Sequence, residues 1–157
     1  MTATVTATGR PGEGAAATPW QPRLIVFACN WCSYAGADTA GVSRIQQQPH
    51  FRVIRVMCSG RIEPGFVLRA FEKGADGVLV SGCHLGDCHY AFGNERALEQ
   101  FAKTKRIVSL LGLEDGRLRL EWISAAEGNR FAQVINEFTE QVRGLGPSPL
   151  KHAGRAP

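Results

Sequence analysis

Apolar positions along the chain come in four paired blocks, each a short run or alternation followed by a helical stripe. The run at 24–27 is compact and partly β-branched, and behind it Ala37, Gly41 and Ile45 share one face of a helix expected over 37–47. Residues 51–56 alternate as a strand. Pro64 then suits a first helical turn, Phe66, Val67, Ala70 and Phe71 form its apolar stripe, and Gly74 fits the stop. The run at 77–80 predicts a third strand, followed by a loop and a helix from Asn94, read as an N-cap, to Leu111, with Gly112 ending it. Residues 117–123 alternate once more. Ser124-Ala-Ala-Glu127 has capping-box spacing ahead of Phe131, Val134, Ile135, Phe138 and Val142.

Strands alternating with helices give a parallel sheet, and right-handed crossovers place every strand C-terminus on one edge, where α/β sheets bind ligands. The expected fold class is therefore α/β: a single three-layer domain with a short, mainly parallel four-stranded sheet built from four βα units. Residues 23–143 make up this unit. The Thr-, Ala-, Gly- and Pro-rich segment 1–22 reads as a disordered tail without the apolar core of a secretory signal, and 144–157 reads as a flexible C-terminal tail.

A folded unit of this length buries a core without metal or disulfide staples, so a metal in it is functional rather than a folding device. The formal charge of +4 shrinks inside 23–143, where 15 basic residues face 13 acidic ones. No Lys/Arg stripe appears, which argues against a nucleic-acid partner, and no apolar run approaches a membrane span, so no membrane insertion is expected.

The cysteines change the picture most. All five lie in the loops after the first three strands: Cys29 and Cys32, Cys58, then Cys83 and Cys88. An odd number of thiols without a secretory signal argues for reduced cysteines in the cytoplasm. Four thiolates converging on one edge suit tetrahedral zinc or an iron–sulfur cluster, since both take soft sulfur donors. Ligands drawn from three separate elements favour an electron-transfer cluster over a local zinc knuckle. A [2Fe–2S] centre takes four ligands and leaves one cysteine over. One assignment gives each iron a close pair, Cys29/Cys32 and Cys83/Cys88, with Cys58 spare.

Two other readings compete. Cys29-x-x-Cys32 between a strand and a helix is where thioredoxin-like proteins carry a thiol–disulfide pair, although plain βα repetition lacks their antiparallel strands. A redox-silent, zinc-stabilised interaction module also accommodates the thiols. Free cysteines are often small buried hydrophobes, but five confined to strand ends fit that account poorly. His84 and His89 read as hydrogen-bond donors rather than ligands, Trp31 and Tyr34 as aromatic neighbours shielding the site, and Asp38 and Asp87 as caps or turn formers. Arg44, Arg55, Arg61 and Arg69 read as a solvated face, and a G-x-G-x-x-G fingerprint is missing.

Five stretches carry a family resemblance: Cys29-Asn-Trp-Cys-Ser-Tyr-Ala-Gly-Ala-Asp-Thr-Ala-Gly41, Arg55-Val-Met-Cys-Ser-Gly-Arg-Ile-Glu-Pro64, Gly74-Ala-Asp-Gly-Val-Leu-Val80, Gly82-Cys-His-Leu-Gly-Asp-Cys-His-Tyr90 and Leu120-Glu-Trp-Ile-Ser-Ala-Ala-Glu-Gly128. In them the chain resembles the delta subunit of methyl-viologen-reducing (F420-non-reducing) hydrogenase, over about residues 23–143. The resemblance implies a [2Fe–2S] electron-transfer subunit without catalysis of its own, its cluster held by four of Cys29, Cys32, Cys58, Cys83 and Cys88. It also implies partners: a heterodisulfide-reductase A-like flavoprotein on one side and a hydrogenase or formate dehydrogenase on the other. Family members often carry Cys-Cys before Asn-Trp-Cys and a Pro between His and Gly of the last motif. Here Ala28 and Leu85 stand at those positions.

Overall fold

A computed structural model describes residues 20–153. Strands β1 (Leu24–Cys29), β2 (Phe51–Val56), β3 (Gly77–Gly82) and β4 (Leu118–Trp122) form one sheet in the order β2-β1-β3-β4. All three pairings are parallel. Helices α1 (Ser33–Val42), α2 (Pro64–Glu72), α3 (Gly93–Leu110) and α4 (Gly128–Leu145) follow them, and a short α5 spans Leu150–Ala153. The expected four βα units are present, and the sheet is parallel throughout.

Strand order explains the layering. From β1 the chain steps outward to β2, whereas the next two connections step the other way, across β1 to β3 and on to β4. With one crossover handedness, opposite steps pass opposite faces of the sheet. One core accordingly holds Leu24, Val26, Leu79 and Ile123 against Ala40 of α1 and Phe131, Ile135 and Phe138 of α4. The other holds Phe27, Val78 and Val80 against Val67 and Phe71 of α2 and Val108 of α3. Each fully buried Phe contributes about 1.5–3 kcal/mol of burial free energy.

The starts of α1 and α3 differ from expectation, each because a side chain near the start bonds to backbone outside its helix. Helix α1 begins at Ser33 and ends at Val42, because the Ser33 hydroxyl takes the Cys29 amide at 2.9 Å and donates to the Ser81 carbonyl at 3.0 Å, drawing the chain into its first turn directly after Cys32. Asp38 consequently lies exposed inside α1 rather than at a cap. Asn94 sits within the first turn of α3, fully buried, and is not its N-cap. At the other end, Gly74 does stop α2, in the left-handed region at φ 93°.

Of the anticipated N-terminal tail, residues 1–19 lie outside the described residues. Beyond residue 144 the chain continues α4 to Leu145, and then Lys151 of α5 reaches the Asp76 carboxylate at 2.5 Å. Among the described residues no helix is long and apolar enough to cross a membrane.

Candidate metal centre

The strand order places β1 and β3 side by side where the direction of chain progression reverses. In open α/β sheets the crevice beyond the strand ends at such a switch point is where ligands bind. Cys29 is the last residue of β1 and Cys83 the first after β3, so the fold puts these two thiols on either side of that crevice. Their sulfurs lie 3.9 Å apart. Cys32, one turn beyond Cys29 and just ahead of α1, completes a group in which all three Sγ atoms lie within 4.8 Å of one another. All three side chains are buried.

Cys58 and Cys88 form a second group beside the first. Both are half-buried and both press on the first turn of α3: a Cβ on Gly93 would strike the Cys58 sulfur and lie 3.0 Å from that of Cys88. A Cβ on Gly60 would in turn fall 2.6 Å from the Gly93 carbonyl oxygen. Only glycine at both positions lets the Cys58 loop and the head of α3 meet. The structure thus divides the sulfurs three and two, with Cys83 beside Cys29 and Cys32, and Cys88 beside Cys58. The sequence-based pairing of Cys83 with Cys88 is not the grouping seen. Between them Gly86 takes the left-handed region at φ 92°, a turn that glycine adopts without strain.

The loops are held by polar side chains that a reading for ligands passes over. Besides the Ser33 bridge, the buried Asn94 amide donates to the carbonyls of His84 at 2.6 Å and Cys83 at 3.3 Å, tying the third loop to the helix that follows it. The only sequence signal was a helix-start residue, whose side chain turned out to serve the loop. Glu127 accepts the Ser124 amide at 2.6 Å, but α4 begins only at Gly128 with Glu127 itself as its N-cap, so this bond closes the loop ahead of the helix and is not the expected capping box; its Oε2 also lies 2.7 Å from His84 Nε2. The Ser124 amide and the His84 imidazole together hold the Glu127 carboxyl down at about 2.

Around the opening, Trp31 stacks on His89 with ring centres 3.8 Å apart and donates its indole N–H to the Tyr90 hydroxyl at 3.1 Å. With Cys32, Cys83 and His84, Trp31 and His89 line a cleft of about 250 Å³. Tyr34 belongs elsewhere. It packs on the α1/α4 core and carries Arg55 over its ring at 5.1 Å, which gives one of the unassigned arginines a partner. Arg69 has another in Glu72.

The thiols perturb one another. A hydrogen bond from Cys32 pulls the Cys29 thiol down to about 5, and the same contact together with burial pushes Cys32 up. Burial pushes Cys58 and Cys83 up. No Lys or Arg forms an ion pair in the site among the described residues. Clustered buried thiols without a counter-charge resist ionising together, and a bound thiophilic cation removes that penalty because it deprotonates its thiol ligands outright. The donor set therefore fits a soft metal or an iron–sulfur group.

The model of the methyl-viologen-reducing hydrogenase delta-subunit family matches residues 24–146. The chain is 50% identical over 132 residues to the vhc iron-sulfur subunit of an F420-non-reducing hydrogenase of Methanococcus voltae, covering 84% of this chain and 92% of that protein. It is 52% identical over 128 residues to the corresponding iron-sulfur subunit of Archaeoglobus profundus, covering 82% and 93%. A third relative is the A component of a ferredoxin/F(420)H(2)-dependent CoB-CoM heterodisulfide reductase of Methanosarcina acetivorans. There the identity is 51% over 126 residues, which are 80% of this chain but 16% of that much longer protein.

Proposed function

The chain belongs to the methyl-viologen-reducing hydrogenase delta-subunit family, and on that premise we propose that it is a [2Fe–2S] electron-transfer subunit working in the cytoplasm and catalysing nothing alone. Four of Cys29, Cys32, Cys58, Cys83 and Cys88 hold the cluster. The observation that carries this reading is the convergence of three loops' sulfurs at the switch point of the sheet, three of them within 4.8 Å.

When bound, a [2Fe–2S] group supplies uptake and release of one electron. The chain's own residues do the rest. Ser33 and Asn94 fix the backbone of the first and third loops. Burial of Cys29, Cys32 and Cys83 keeps water from the inner sulfurs, while Cys58 and Cys88 stay half-buried. Burial and hydrogen bonding near sulfur are the means by which a protein sets such a potential.

Its electrons pass between a hydrogenase or formate dehydrogenase and a heterodisulfide-reductase A-like flavoprotein. The likeness to one stretch of a heterodisulfide reductase component supports that side of the exchange, because a domain like this one there shares a polypeptide with the rest of that protein.

Anaerobic reconstitution with iron and sulfide tests the reading: about two irons and two labile sulfides per chain are expected, with an EPR signal on one-electron reduction. Stoichiometric zinc in a colourless protein overturns it in favour of an interaction module. The lowered Cys29 thiol beside Cys32 is the one observation favouring a thiol–disulfide enzyme. A metal-free protein that turns over a dithiol substrate through Cys29 establishes that alternative instead.

A further inference from the structure

The two faces of the sheet are covered unequally. Over β1 and β2 one face carries α1, with Phe51 and Val53 packed into the core beneath it. On the opposite face α2 lies towards β3 and α3, so that among the described residues no helix covers β2. Register puts Ile25 beside Arg52 and Phe27 beside Ile54 on that bare side. Ile54 is 43% exposed and Phe66, at the α2 wall, 40%. Together they floor and flank a groove of about 970 Å³ running beside α2, away from the cysteine edge.

The rim is basic. Arg23, Arg52 and Lys73 line it, all exposed, and none forms a salt bridge among the described residues; no carboxylate belongs to the lining. The fourth cation, Arg69, is already taken by Glu72. A space bounded by a sheet face and one helix has the shape left by a missing neighbouring helix, and its unpaired cations select for carboxylates.

We infer that this groove docks an acidic amphipathic helix of a partner protein, with the apolar stripe of that helix over Ile25, Ile54 and Phe66 and its carboxylates against Arg23, Arg52 and Lys73. The chain's own residues 1–19 are a poor occupant: Arg10 cancels Glu13, which leaves nothing to offset three cations. The groove anchors a partner without covering the cysteine loops, so the inference stands independently of what those loops bind.

The test pans a phage-displayed library of random peptides, each about 16 residues and so long enough for about four helical turns, on the intact, cluster-loaded protein. The winners are then synthesised and titrated by fluorescence anisotropy. The expected peptides repeat apolar residues at i, i+3 or i+4 with Asp and Glu on the flanks. They bind the double variant Arg52→Glu/Lys73→Glu at least about tenfold more weakly, and bind the unaltered protein more weakly as salt rises. Circular dichroism and the visible spectrum of the double variant check that fold and cluster survive. Four results overturn the inference: no enrichment, peptides alternating as strands that extend the free edge of β2, affinity indifferent to the double substitution, or binding that appears only once residues 1–19 are removed.

Discussion

At the N-terminal edge of the sheet Asp76 and Arg117 are fully buried and fully occupied. Asp76 accepts the amides of Arg23 at 2.8 Å and Ser148 at 2.9 Å as well as the Lys151 ammonium, while Arg117 donates to the Glu114 carboxylate and to the carbonyls of Asp76, Leu145, Gly146 and Pro147. At the C-terminal edge, some six residues further along the same strands, five thiols crowd together with mainly one another for company. The contrast teaches what each edge is for. Saturated polar groups lock the last stretch of chain to the sheet; clustered unsaturated sulfurs leave coordination capacity for something else.

The two edges should therefore fail in different ways. The largest effect belongs to the thiol edge: Cys29→Ser or Cys83→Ser removes most bound iron after reconstitution, read by iron analysis and EPR, while the urea midpoint of the metal-free protein moves little. With four of the five cysteines as ligands only one can be spare, so unchanged iron in both variants contradicts that reading. Next, Arg117→Ala leaves four carbonyls without their donor and costs about 3 kcal/mol by urea unfolding, with iron per chain preserved in the folded fraction. Loss of iron without loss of stability there would break the comparison from the other side.

Smaller effects probe the supports. Gly93→Ala forces a methyl against the Cys58 and Cys88 sulfurs and costs about 1–3 kcal/mol of overpacking strain, accompanied by a shifted EPR spectrum. The smallest concerns Glu127, whose carboxyl is held at about 2, below the ordinary carboxylate value of about 4.3. A depressed pKa stabilises the fold above the unfolded value and ceases to do so as pH falls from about 4 towards 2. Glu127→Gln should flatten that part of the stability profile by less than about 1 kcal/mol, since the carboxylate is 39% exposed and screened by solvent.

Much of the fold was legible because its signals are local. The alternation at 51–56 and the stripe of Phe131, Ile135 and Phe138 each report one element against one core face, and both elements form where expected. Pro64 and Gly74 bracket α2 for backbone reasons any neighbour would respect. Less legible were residues whose partners are remote in sequence. Ser33 starts a helix through a carbonyl of β3, Asn94 spends its amide on the preceding loop rather than on a cap, and Arg117 serves a chain end that composition had marked as a loose tail.

From the residue pattern alone came four βα units and, through them, the gathering of every cysteine at one edge, because strand direction and crossover rules act on any sequence with that periodicity. Tertiary structure decided how the sulfurs group. Cys83 and Cys88 are near neighbours in the chain, yet Cys83 lies with Cys29 and Cys32 while Cys88 meets Cys58 over Gly93 at the head of α3. It also decided which sheet face stays bare. That follows from strand order β2-β1-β3-β4, a long-range choice on which the spacing of residues within each strand is silent.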